Sequence, residues 1–242
     1  MRNTIQTVLR ASVWGLAINA LAIGIVNAQA EKGSATMALH HLHMSMMNHG
    51  LEMALQGSDL VMLSEMSMAP GFDAITEQHG RSMIQKGQDL LKRALEGSEM
   101  KGLHQGKVDE KAMQYTHSAG EAMQKVVDIL DAMRLAEPKQ EEMTLHHMHM
   151  ALNHALEMGT QGSNLVMLGQ MGMAGAVDTA SVDHGKAMIA EARALWKETM
   201  EGKAMQEMMK GGESGPMAKT HQLAEAGKKV LDLLAQMPEL SE

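Results

Sequence analysis

The chain has no cysteine among its 242 residues, and its aromatic side chains amount to one Tyr, one Phe and two Trp. Without cysteine there is no disulfide framework, thiolate zinc site, iron–sulfur cluster, c-type haem attachment or cysteine nucleophile. So few aromatic rings leave no base-stacking platform. The formal charge is −8, and no basic stripe exists to follow a phosphate backbone, which argues against nucleic acid as partner. Common catalytic signatures are missing as well: HExxH, GxSxG, a glycine-rich phosphate loop and the Glu-x-x-His pair of di-iron bundles. No D-x-D-x-D-G calcium loop occurs. The chain therefore reads as a non-enzyme with no organic cofactor.

Long apolar runs are absent except at the start. Arg2 and Arg10 bracket a positive beginning, Ala11 to Val26 is almost wholly apolar, and Ala28-Gln29-Ala30 supplies small residues for a peptidase. That is the three-part pattern of a secretory signal over residues 1–30, and the run is short for a membrane span. The mature chain is expected to begin at Glu31, in the periplasm, with no span left after cleavage. Its 19 basic and 29 acidic residues leave a charge of −10.

What is present is a repeated sequence. Leu39-His40-His41-Leu42-His43-Met44 matches Leu145-His146-His147-Met148-His149-Met150 at an offset of 106. From His49 the offset is 105, and 24 of the 52 positions from 49 to 100 are identical to their partners, too many for chance. Thr116-His117 pairs with Thr220-His221 after a further slip. Repeats over 31–136 and 137–242 are expected, joined near Glu137-Pro138-Lys139-Gln140.

Apolar residues recur at three- and four-residue spacing, and β-branched runs are missing, which predicts an all-α bundle. Each half is expected to hold about three long helices and one short one. In the first half they are read from about Ala38 to Gln56, a short piece from Ser58 to Met68, Asp73 to Glu96, and Asp109 to Met133. Gly57-Ser58 is read as a cap between two helices.

The mature chain carries 27 Met against 23 Leu, 8 Val and 4 Ile. Met packs adaptably but specifies a core poorly. Histidine placement adds a second signal. Twelve of the thirteen His have a Met four residues away, His149 being the exception, where random placement would give about three. A shared core stripe would favour a spacing of three nearly as much. Outside the two His-rich helices that spacing is empty. Residues four apart share a helix face, so an imidazole nitrogen and a thioether sulfur can grip one ion.

Three classes of metal ligand follow. The His-rich helices offer His40, His41, His43, Met44, His49 and Met53, and again His146, His147, His149, Met150, His154 and Met158. A thioether class comprises Met62 and Met66 with Met68, repeated as Met167 and Met171 with Met173. The remaining helices each carry one pair: His79/Met83, Met113/His117, His184/Met188 and Met217/His221. Thioether is a soft ligand that suits Cu(I) and by the same chemistry Ag(I), while imidazole also accepts Cu(II).

With the exported start, the His-His-x-His-Met and Met-Met-Asn-His clusters resemble, in motif style, the Met/His-rich periplasmic copper- and silver-binding proteins of bacterial metal resistance. The resemblance implies Cu(I) or Ag(I) sequestration, storage or delivery outside the cytoplasm, with copper efflux or delivery proteins as partners. Copper-storage bundles of the best-known kind use cysteine, which this chain lacks. Two other classes compete: a haem bundle, whose axial ligands are His and Met, and a periplasmic stress protein, either a chaperone or a trap whose Met become sulfoxide. Haem needs one ligand pair and leaves the other pairs without a purpose, and the oxidant trap explains Met without His.

Overall fold

The structure, a computed structural model, describes residues 32–67, 71–97, 110–133, 140–172, 175–210 and 216–237. Residues 1–30, expected to be a signal, the joint expected near Glu137, His104 with Met100 four residues before it, Met68 and Met173 lie outside them, as do the side chains of Met113 and Met217. The described residues form an all-α bundle: α1 (Lys32–Glu65), α2 (Asp73–Glu96), α3 (Glu110–Ala132), α4 (Gln140–Gln170), α5 (Ala176–Glu201), α6 (Lys203–Met209) and α7 (Pro216–Leu234). None of these helices is long and apolar enough to cross a membrane.

The bounds of α2 and α3 follow the periodicity closely. Gly57-Ser58 does not behave as the composition predicts. It lies inside α1, which runs unbroken to Glu65, so the separate short helix of the first half does not exist. In the second half Gly162-Ser163 is likewise interior to α4, and the short helix there is α6, between α5 and α7.

Packing explains the difference. A Cβ on Gly57 would sit 2.5 Å from the carbonyl oxygen of Gly80, and one on Gly80 would sit 2.4 Å from that of Gly57. Gly50 and Gly87 meet in the same way one heptad along. The glycines are there so that the backbones of α1 and α2 can touch, and tertiary contact outweighs the local preference for a cap. Gly162 and Gly185 bring α4 and α5 together identically. The turn after α1 needs left-handed backbone at Ser67 and at Gly71, whose φ is 93°.

The two hairpins join through α1 and α4, which run antiparallel and exchange polar contacts. Asn48 donates from Nδ2 to Asn164 Oδ1 at 2.8 Å and to Ser163 Oγ at 3.1 Å. Asn153 donates from Nδ2 to Asp59 Oδ1 at 2.7 Å. Around this polar centre lie fully buried Met44, Met47, Leu51, Leu55, Leu152 and Leu156. The helices α3 and α7 pack on each other and close the core. Gly227 of α7 leaves room for the six-membered ring of Trp196 from α5, which a Cβ there would strike.

Candidate metal centre

Helical twist divides the His-rich segments between interior and surface. On α1, His40, His41, His43 and Met44 are buried, whereas His49 is exposed and Met53 half-buried. On α4, His146 and His149 are wholly buried. His147 and His154 are exposed there, with Met150 and Met158 half-buried beside them. The clusters expected to act as units are thus split over opposite helix faces.

The motif match also misleads about equivalence. The His clusters align at 106, but the buried positions of α1 recur on α4 at 105. His41 therefore corresponds to His146, and Met44 to His149. A single-residue slip rotates a motif by about 100° around its helix, so His43 and His149 do not occupy matching places.

Each buried imidazole meets a different environment. His40 donates from Nδ1 to Thr116 Oγ1 at 2.6 Å, and that hydroxyl donates onward to the Ala112 carbonyl. His149 Nε2 lies 2.7 Å from Thr220 Oγ1, while its Nδ1 is buried with no hydrogen-bond partner. Burial, reinforced by neighbouring His146, pushes the His149 imidazole down to about 3, so the ring is neutral at physiological pH. His146 Nε2 lies 3.3 Å from Glu65 Oε2. Across the bundle His41 faces the Gln170 side chain, yet neither of its ring nitrogens makes a hydrogen bond of good geometry. Burial lowers the pKa of His41, and Gln170 opposes that only in part.

Met62, Met66 and Met167 are buried, and Met171 is exposed. Between α1, α2, α3 and α4 lies a cavity of about 10 Å³, walled by Met62, Glu65, Met133 and His149 among others. That is room for one water-sized species. Among the described residues no three His, Asp or Glu side chains converge on one point.

The outward pairs take their order from the hairpin register. Met53 is four residues before Gly57, and Met83 is three after Gly80, so the Gly57–Gly80 contact sets the two Met within about one helical turn of each other along the hairpin. Met83 Cβ would lie 2.9 Å from a Cβ on Gly57, one turn from Met53 on the same face. His49 and His79, both exposed, lie one turn beyond their own Met. The order along this side of the hairpin is His49, Met53, Met83, His79. On the other hairpin the Gly162–Gly185 contact sets His154, Met158, Met188 and His184 in the same order. His117 is half-buried and His221 exposed, and His221 Nε2 lies 3.5 Å from Glu225 Oε1.

Sequence reasoning missed Glu65, Met133, Thr116 and Thr220. The two Thr belong to the repeated Thr-His dipeptide, whose His117 and His221 carry the more conspicuous ligand chemistry. Glu65 and Met133 carry no local signal, because only helix packing brings them to His146 and His149.

No protein-family model, curated protein or solved structure matches the chain.

Proposed function

We propose that this protein is an exported, periplasmic binder of copper(I) or silver(I), built from two duplicated halves after a cleaved signal over residues 1–30. Its role is sequestration, storage or delivery, with copper efflux or delivery proteins as exchange partners and no catalytic step. One observation carries the reading: in both hairpins two half-buried Met fall within about one turn of each other across closely packed helices, each with an exposed His one turn away. Thioether sulfurs at that spacing are soft donors, and imidazole completes a coordination set that favours Cu(I) or Ag(I) over hard cations. A core-only role for these Met gives no reason for the flanking His to face solvent. The negative charge of the chain raises the local cation concentration. Acid releases the ion as the imidazoles protonate, while thioethers do not titrate.

The test is anaerobic Cu(I) titration of residues 31–242 against a chromophoric chelator, with Zn(II) in parallel. The expected result is tight Cu(I) uptake that falls when Met53, Met83, Met158 and Met188 are all changed to Leu, a swap that conserves volume. Cu(I) uptake no stronger than that of the chelator overturns the proposal. Restoration of chelator colour by the Leu variant as complete as without protein would assign the ions to these Met.

A further inference from the structure

The surface pairs leave unexplained the buried end of the bundle where α4 meets α1. His149 is wholly buried there, and Nδ1 has no hydrogen-bond partner. An orphaned polar atom in so dry a place is costly unless something meets it. The other ring nitrogen is turned to Thr220 of α7, at 2.7 Å. When Nε2–H donates to that hydroxyl oxygen, Nδ1 carries the lone pair, the tautomer a metal requires.

The wall that His149 shares is the small cavity with Met62, Met133 and Glu65. Met62 and Met133 are themselves buried, at 4% and 8% exposure. A neutral imidazole and two thioethers make a soft donor set, with Glu65 supplying charge. Arg81 also reaches this wall, but its guanidinium is engaged by Glu77 at 2.7 Å. The cavity holds one small species and no more. The opposite end of the bundle is built differently: Met44 stands at the place corresponding to His149, and Gln170 at that of Glu65.

We infer that His149 Nδ1, Met62 and Met133 form an interior site for a single soft monovalent cation, Cu(I) or Ag(I), with Glu65 as counter-charge and Thr220 as the residue that orients the imidazole. The site rests on the soft-cation reading above and adds to it a buried position, distinct from the surface pairs. An ion there exchanges slowly, because α1 and α4 must part to admit it, whereas ions on the hairpin faces exchange freely with partners. The protein thus holds one retained ion and several mobile ones.

The experiment is a titration of residues 31–242, labelled with ¹³C at the Met methyls, using silver(I) nitrate as the probe and NMR as the readout. Single Met62→Leu and Met133→Leu variants assign the two interior signals, and the measurement itself is made on the unaltered protein. The expected result is that the Met62 and Met133 methyls move together, in slow exchange, as a step separate from that of the methyls of Met53, Met83, Met158 and Met188. Thr220→Val is expected to weaken the slow step by about tenfold or more. Shifts confined to the four surface Met at saturating silver overturn the interior site and leave the soft-cation reading standing. No shift at any Met overturns both.

Discussion

Asp59 accepts a hydrogen bond from Asn153 Nδ2 at 2.7 Å, across the interface of the two longest helices. Desolvation raises the Asp59 carboxyl to about 7, Glu157 adds to the rise, and the Asn153 bond opposes it. The position matching Asp59 on α4 is Asn164, which accepts from Asn48 in the same way. One end of the interface therefore carries an ionisable group where the other carries a neutral amide.

A pH dependence of stability follows. A carboxylate raised from 3.8 to about 7 leaves the folded state holding a proton that the unfolded state has released. Its contribution is most favourable below pH 4 and is lost as pH rises towards 7. Asp59→Asn keeps the acceptor oxygen and removes the charge. The variant is expected to be more stable than the parent at pH 8 by about 1–2 kcal/mol, with the gain vanishing near pH 4. Urea unfolding at the two pH values checks this, and equal gains at both would exclude Asp59 as the cause.

Glycine substitutions separate close backbone contact from ordinary packing. A Cβ on Gly80 meets the backbone oxygen of Gly57 at 2.4 Å, and backbone cannot move aside without separating α1 from α2. A Cβ on Gly120 meets the tips of Leu95 and Met47, which can rotate. Gly80→Ala is expected to destabilise by about 3 kcal/mol or more. Gly120→Ala gains helix propensity and is expected to cost about 1 kcal/mol or less. Thermal unfolding of the two variants side by side gives the order.

Thr116→Val removes the oxygen that His40 Nδ1 uses and leaves the shape almost unchanged. The expected loss is about 1–3 kcal/mol, since a buried donor is stripped of that bond. The measurement is denaturant unfolding, and a His40→Leu background, in which no imidazole needs the hydroxyl, should reduce the loss.

His49 titrates above an ordinary histidine because Glu52, 3.9 Å away, stabilises its charged form against partial burial. Glu52→Gln is expected to lower the His49 pKa, so that a cation held by His49 and Met53 survives to lower pH. Histidine ring-proton NMR of the metal-free protein reads the pKa directly. An unchanged titration would remove Glu52 from the account.

The all-α class, the extent of α2 and α3, and the recurrence of His at four residues from Met were legible because helix periodicity and spacing are local properties of the chain. The role of Gly57 is not legible in that way. A glycine that caps a helix and a glycine that admits a neighbouring backbone look alike until the neighbour is known. His43 and His149 share a motif but not a place, since a one-residue slip turns a helix by more than a quarter-circle.

Residue order alone settled that this chain is rich in soft donors, free of thiols and helical, because composition and periodicity act within a few residues of each position. Tertiary packing decided which donors are buried and which face water. The register in which α1 and α2 approach through Gly57 and Gly80 brings Met83 within about one turn of Met53. The antiparallel docking of α1 on α4 brings Glu65 to His146 and sets His149 on the wall of one small cavity with Met62 and Met133. Those encounters join residues about eighty or more apart in the chain or on separate helices, and no local pattern encodes them; only the meeting of whole helix faces in the core does.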